Sequence, residues 1–107
     1  MCIRDRYNVD LVCEGDGHTI KRTVPIRKGK QDPTGIIYIG EGGLGVPPRE
    51  PKRKRWYLQE PGMSDYGHHV QRLKLTKDRM TYECILLDGT IRDRWERSRM
   101  SSFAPQK

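Results

Sequence analysis

Apolar and polar positions alternate along the second half of the chain, from His68 onward. The clearest run places apolar side chains at every second position, Met80, Tyr82, Cys84 and Leu86. Such alternation is typical of half-buried antiparallel strands. The pair Asp88-Gly89 predicts a two-residue hairpin turn after this run, and the spacing of Ile91 and Trp95 then places both on one face of the returning strand.

The first half of the chain contains shorter apolar or β-branched runs, which predict strands over residues 8–13, 19–26 and 36–39. The last of these is bounded by glycine on both sides and is predicted to be a central strand. Residues 28–35 have the Gly, Asp and Pro typical of a turn. Glycine and proline recur over residues 40–67, which are expected to form a long surface excursion anchored by Trp56-Tyr57-Leu58.

No segment has the periodicity of an amphipathic helix, so the chain is predicted to be mostly β. The opening MCIRDR, residues 1–6, fits poorly with the rest of the chain and is interpreted as a non-native leader. Residues 98–107 are expected to be a loose tail. The folded region is therefore predicted to be residues 7–97, within which the first strand looks truncated upstream of Tyr7.

Composition limits the possible functions. A chain of 107 residues permits one small domain or part of a larger one, and only 34% of its residues are hydrophobic against 33% charged, so the core should be thin. The formal net charge of +7 favours anionic partners such as phosphate esters, nucleic acid or an acidic surface. No apolar run approaches the roughly 18 residues of a membrane span, so no membrane partner is expected. Oligomeric state stays open.

The cysteines do not have the spacing of a structural zinc site. Three are present, and Cys13 and Cys84 both fall in strand-like runs. The preferred interpretation is two buried thiols, with a disulfide as the alternative. The redox compartment is therefore left open.

The stretch EGDGHTIKRT, residues 14–23, carries the candidate chemistry. Asp16 and His18 follow a predicted strand and are two positions apart, so in an extended segment their side chains point the same way. Carboxylate and neutral imidazole both bind zinc, iron or manganese, and a catalytic centre needs at least three protein ligands. The alternative is a strand exit with a solvated Asp and His.

Three other motifs are interpreted structurally. Residues 40–45 match G-x-G-x-x-G, but the prolines that come next exclude the helix that a dinucleotide site requires, so a side-chain-free turn passing close to a site or a neighbouring strand is predicted. The basic run 52–55 precedes Trp56-Tyr57, a composition that suits nucleic acid as well as a solvated loop. His68 and His69 would point to opposite faces of a strand and are interpreted as ordinary strand residues.

Taken together, YNVDLVCEGDGHTIKRTVPI and DPTGIIYIGEGGLG resemble the C-terminal part of calcineurin-like metallophosphoesterases, especially the purple acid phosphatase branch. In that family an apolar strand ends in G-H-x-H, with Arg and Thr shortly after, and a glycine-rich strand exit comes next. Gly15, His18, Arg22 and Thr23 match this pattern, whereas Asp16 occupies the first histidine position. The strands from His68 also look like that family's closing hairpin region.

The resemblance implies that the chain is the C-terminal, β-rich part of an α/β four-layer sandwich that hydrolyses phosphate esters at a dinuclear metal centre. His18 would be a metal ligand, and Asp16 would either replace an imidazole or mark a weak second site. The metal ions would be iron, zinc or manganese, and the partner a phosphate-ester substrate. The motifs that supply the other ligands are missing from the sequence, so the fragment alone is expected to be inactive.

Family members are often exported, which hints at a periplasmic or secreted location. Two alternatives remain open. The chain could be a basic β-rich module that binds nucleic acid or another anionic polymer through residues 49–57, or a family member that has lost catalysis.

Overall fold

The computed structural model describes residues 9–15, 17–40, 42 and 44–98. The chain divides between His68 and His69 into two compact units. The predicted leader, residues 1–6, and all of the predicted tail except Ser98 lie outside the described residues. None of the helical segments in the described part has the length and apolar character of a membrane span.

The first unit contains a four-stranded mixed sheet, a small hairpin and one turn of 3-10 helix. The sheet order is β1-β5-β2-β6, and β3 pairs with β4 in the hairpin. The elements are β1 (Leu11–Cys13), β2 (Ile20–Arg22), β3 (Ile26–Arg27), β4 (Lys30–Gln31), β5 (Ile37–Gly40), the 3-10 helix (Trp56–Leu58) and β6 (Met63–Asp65).

Strand β5 is the centre of this sheet, as its bounding glycines and apolar run predict. It pairs in parallel with β1, Leu11 opposite Ile37, and antiparallel with β2 on its other side. Ile37 and Ile39 are fully buried, as is Ile20 of β2. Because β1 and β5 run in parallel, their carboxyl ends lie side by side at one end of the sheet.

The predicted surface excursion over residues 40–67 is wrong in one respect, because Met63–Asp65 form strand β6. This strand pairs antiparallel with β2, Ile20 opposite Asp65. Its sequence, Met-Ser-Asp, has no apolar run that would reveal a strand. The predicted anchor is confirmed at Leu58, which is 8% exposed, but not at Trp56, which is 50% exposed.

The second unit is an antiparallel sheet of three strands, β7 (His69–Leu75), β8 (Arg79–Leu86) and β9 (Ile91–Ser98), in the order β7-β8-β9. The alternation in the sequence predicted it correctly. Tyr82 and Cys84 of the central strand are fully buried, whereas Leu75 in β7 is 70% exposed. The described residues are thus mostly β and contain no α-helix, as predicted.

A β-bulge changes the face of the first residue of β9. Trp95 lies opposite Tyr82, but Ile91 lies opposite Ile85, so Arg92 is an extra residue. Tyr82 and Ile85 are three positions apart and point to opposite faces. The prediction that Ile91 and Trp95 share a face is therefore wrong, and Ile91 is 48% exposed.

The turn that causes this shift is tight but longer than the predicted two-residue loop. Gly89 donates its N–H to the Leu86 carbonyl at 2.9 Å, and Leu86 donates its own to the Thr90 carbonyl at 2.8 Å. Gly89 has φ +90°, which glycine adopts without steric cost. A three-residue loop with a left-handed glycine commonly ends in a bulge.

Both described cysteines are free thiols, but only one is buried. Cys84 is buried and Cys13 is exposed. Cys13 is the last residue of β1, which lies at the edge of the sheet as far as the described residues show. The prediction of a buried thiol at this position is wrong.

Candidate functional site at the strand exits

The carboxyl ends of β1 and β5 bring two glycine-containing segments together. Glu14 donates its N–H to the Ile39 carbonyl at 2.8 Å, which continues the parallel pairing past the end of β1. A Cβ atom on Gly40 would lie 2.7 Å from the Glu14 carbonyl oxygen, and one on Gly42 would lie 3.2 Å from that of Gly15. The predicted close approach of this glycine segment to a neighbouring strand is confirmed at Gly40 and Gly42, and within the described residues no helix follows them before Trp56–Leu58.

His18 is held in place by a segment far along the chain. Its Nδ1 lies 3.2 Å from the Pro47 carbonyl oxygen, and its own carbonyl accepts the Arg49 N–H at 3.0 Å. The backbone at His18 is left-handed, with φ +58°. This conformation is uncommon for residues other than glycine and is found in turns and at functional sites; Lys28, in the β3–β4 turn, also adopts it, with φ +54°.

The hydrogen bond to Pro47 determines which nitrogen of the ring carries the proton. A carbonyl oxygen can only accept, so Nδ1 must be the donor. The lone pair of the neutral ring then lies on Nε2. Metal-binding histidines commonly donate their other ring N–H to a carbonyl or carboxylate in this way, which fixes tautomer and orientation. His18 therefore has the chemistry of a metal ligand.

Asp16 lies outside the described residues, so its convergence with His18 stays a prediction. Within residues 9–15, 17–40, 42 and 44–98, no group of three His, Cys, Asp or Glu side chains comes together as a metal site. The structure does bring Glu14 and Lys21 together as a partly buried ion pair beside the strand exit. The sequence gives little sign of this pair, because the two residues meet only through the return of the chain along β2.

A cleft of about 350 Å³ is formed in part by the chain neighbours of His18, although His18 itself does not line it. It is lined by residues on both sides of that histidine, Gly17 and Thr19, and by the segment from Arg49 to Lys52. A second cleft of about 240 Å³ is lined by residues that include Glu14, Tyr38 and the β3–β4 turn. Lys21 and Tyr57 line both clefts. From the sequence alone, Arg49 and Lys52 were expected as part of a solvated loop or, in the alternative, of a nucleic-acid surface.

The basic run 52–55 is not a uniform charged loop. The Arg53 guanidinium donates to the Ser64 carbonyl at 3.1 Å and lies 3.6 Å from the Asp65 carboxylate. Arg53 is nevertheless exposed, as are the other cations of the run, Lys52, Lys54 and Arg55. The Trp56 and Tyr57 rings meet edge to face with centroids 5.6 Å apart. Arg53 therefore has a structural role in its unit.

The histidine pair falls at the division between the units. His69 is 2% exposed and begins β7, and His68 precedes the strand and is exposed. The interpretation of His69 as a strand residue is confirmed.

The charged face of the second unit is largely self-paired. Glu83 accepts a hydrogen bond from Arg72 Nε at 3.0 Å and lies 3.4 Å from Arg94 Nε. The hydrogen bond from Arg72 is the largest of the effects that lower the pKa of Glu83 below its ordinary value, and the charges of Arg72 and Arg94 add to it. Glu96 in turn lies 3.1 Å from Arg94 and 3.9 Å from Arg79. This network is a cross-strand stabilising device.

The chain matches no protein-family model, and no curated protein is significantly similar to it.

Proposed function

We propose that this chain is the C-terminal portion of a metal-dependent phosphoester hydrolase, in which His18 binds one of two metal ions. The observation that carries the proposal is the hydrogen bond from His18 Nδ1 to the Pro47 carbonyl, which leaves the Nε2 lone pair for a metal. The fold supports the proposal because His18 lies just beyond the carboxyl ends of the parallel strands β1 and β5, and α/β sheets bind ligands at this end. Its support from the sequence is the G-x-x-H…R-T pattern.

The metal ions would be zinc, iron or manganese, which bind imidazole and carboxylate. The chemistry that such a centre would supply is polarisation of the phosphoryl oxygen and activation of water for attack on the ester. The chain's own contribution is to fix the His18 ring through the Pro47 carbonyl and the His18 backbone through the Arg49 N–H, and to place Arg49 and Lys52 in the neighbouring cleft. The parent fold would be the four-layer sandwich, with Asp16 as a second candidate ligand.

Metal binding in the longer gene product tests this proposal. The 107-residue chain alone should hydrolyse no aryl phosphate, whereas the longer protein should contain stoichiometric metal by elemental analysis and lose metal and activity on His18→Ala. His18→Gly is the matched control for folding, because glycine adopts φ near +58° without strain. It should keep the thermal stability and still lose the metal. A His18→Gly protein that retains both metal and activity would refute the ligand assignment.

A second candidate function is a basic β-rich module that binds nucleic acid. It is favoured by three exposed cations, Lys52, Lys54 and Arg55, next to the half-exposed Trp56 ring. Such binding would fall steeply with salt, would be unaffected by a chelator, and would be lost when these three cations are neutralised. A catalytically decayed relative would instead show no stoichiometric metal in the longer protein and no binding to nucleic acid.

A further inference from the structure

The second unit has two edge strands, and they differ in regularity. Strand β8 is in the middle, and it is the only described strand that pairs with β7 or with β9. All seven residues of β7 pair with β8 in one unbroken register, whereas the pairing of β9 is interrupted by the bulge at Arg92. Bulges make a strand a poor template for further pairing, and proteins use them to protect sheet edges. Strand β7 is therefore the edge better suited to accept another strand.

The backbone groups of β7 that face away from β8 follow from the hairpin turn. Thr76 donates its N–H to the Arg79 carbonyl at 2.9 Å, so these two residues form a hydrogen-bonded pair. Hydrogen-bonded and non-hydrogen-bonded pairs alternate along an antiparallel ladder. Lys74, two positions before Thr76 in the same register, therefore bonds to β8, while Leu73 and Leu75 direct their N–H and C=O groups outward. An added strand would bond to these two leucines.

The side chains of β7 alternate between apolar and cationic along this edge. Leu73 and Leu75 lie on one face of the sheet, and both are exposed. Arg72 and Lys74 lie on the other face and are exposed as well. Arg72 donates its Nε to Glu83 at 3.0 Å, but a guanidinium has five N–H donors and can bind a second carboxylate. The edge thus presents two leucines on one face and two cations on the other.

The cations of β7 indicate the charge of its partner. In an antiparallel pair the side chains opposite one another lie on the same face, so a carboxylate opposite each cation stabilises the pairing and a second cation destabilises it. Pairing with β7 of a second copy would bring Arg72 and Lys74 of both copies together on one face. The net charge of +7 also disfavours association between copies. The chemistry of the edge therefore favours an acidic strand over a second copy.

We propose that the β7 edge binds an extended acidic segment of another protein, which adds to the sheet as a further antiparallel strand. The segment alternates Asp or Glu with apolar residues, its carboxylates opposite Arg72 and Lys74 and its apolar side chains beside Leu73 and Leu75. Main-chain hydrogen bonds to the two leucines supply affinity, and the alternating side chains supply specificity. This interaction is independent of the proposed function, because it does not involve His18.

The test is a titration of the 107-residue chain with a short capped peptide in which glutamate and valine alternate. Heteronuclear NMR measures binding and amide hydrogen exchange. Exchange should slow at the outward amides of Leu73 and Leu75 and change little at Lys74, whose amide already bonds to β8. A peptide of the same composition with its glutamates grouped together should bind about tenfold more weakly. A peptide in which lysine and valine alternate should not bind.

A charge substitution at Lys74 tests the ionic part of the proposal. Lys74→Glu should weaken binding of the glutamate peptide by about fivefold and allow the lysine peptide to bind. Lys77→Glu is the matched control, because it makes the same change of charge at an exposed turn position outside the strand. It should leave the binding of both peptides unchanged. Equal effects of K74E and K77E would mean non-specific attraction and overturn the proposal.

A proline substitution at Leu73 tests the backbone part. Leu73→Pro removes one outward N–H but no hydrogen bond to β8, so it should weaken binding by about tenfold, whereas Leu73→Val keeps this N–H and should still bind. Thermal unfolding shows whether the proline variant keeps its fold, and the Lys74 variant decides the question if it does not.

Two other results would overturn the proposal. If the glutamate peptide does not bind, Arg72 and Lys74 protect the edge from pairing instead of selecting a partner. If exchange at Leu73 slows with rising protein concentration in the absence of peptide, the occupant of the edge is a second copy of the chain.

Discussion

The two units of this chain build β structure in different ways. In the first unit the strands have two to four residues, and much of the chain lies in turns and loops that hydrogen-bond to distant backbone groups. In the second unit the strands have seven or eight residues each and are stabilised by cross-strand pairs along their length. In long regular strands most backbone groups are used in strand pairing. Short strands leave more of the chain in loops, and these loops bring side chains together at the strand ends. The candidate chemistry lies accordingly in the first unit.

Each unit contains one of the chain's two tryptophans, Trp56 and Trp95. The Trp56→Phe variant keeps only Trp95, so its fluorescence during urea unfolding reports on the second unit. The Trp95→Phe variant keeps only Trp56 and reports on the first unit. The comparison between the units can be tested with this pair of probes.

The largest expected effect is at the centre of the first sheet. Ile37 is fully buried, so Ile37→Ala should lower the free energy of unfolding by about 3 kcal/mol, through lost burial and a residual cavity. Leu75 is a strand residue of the second unit but is 70% exposed, so Leu75→Ala should change it by no more than about 0.5 kcal/mol. Urea titration read at Trp56 and at Trp95 measures each effect. Similar losses for the two variants would contradict the burial pattern described.

The next effect concerns the glycine at the end of β5. In Gly40→Ala the new Cβ would meet the Glu14 carbonyl oxygen at 2.7 Å, a backbone atom that cannot rotate away, so a loss of about 2 kcal/mol is expected. Gly15→Ala is the matched control at the neighbouring exit, because a Cβ there meets nothing within 4 Å. Thermal unfolding of the two variants measures the difference in stability. If Gly40→Ala were as stable as Gly15→Ala, the segments that follow β1 and β5 would have to lie further apart than the structure shows.

The smallest effect is electrostatic and belongs to the second unit. The folded-state pKa of Glu83 is lowered below 4.5 by its hydrogen bond from Arg72 and by Arg94. Its contribution to stability is therefore fully present above pH 4.5 and is lost as the pH falls through the lower folded-state pKa. Glu83→Gln should be slightly less stable than the unmodified protein near neutral pH, and the difference should disappear in acid, below the folded-state pKa. Glu60→Gln, at an exposed position, serves as the control. A constant difference across this range would rule out the ionic origin.

The sequence predicts the regular part of the fold well because regularity is local. Alternation identified β7, β8 and β9, and an apolar run between glycines identified β5. The misses have non-local causes. Strand β6 exists because β2 offers it a partner, although Met63–Asp65 have no strand-like pattern, and the face of Ile91 depends on a bulge that results from the turn at Gly89.

At the candidate site the sequence proposes the residue but not its setting. His18 is a candidate because of its neighbours in the sequence, whereas its left-handed backbone and its hydrogen bond to Pro47 depend on a segment 29 residues away. The contribution of Arg49 and Lys52 to the cleft formed in part by the chain neighbours of His18 depends on the same contact between distant segments. Spacing alone does not reveal such contacts.

The attachment of His18 to residues 47 and 49 has a consequence for how this chain can vary. Surface loops ordinarily accept insertions and deletions, because their ends are all that the fold requires. Here the length of the segment between β5 and Pro47 is constrained, because Pro47 at its end orients the imidazole ring of His18, which follows β1. Changes in loop length should therefore be concentrated elsewhere, and a homologue with an insertion there would have to hold its histidine by different means.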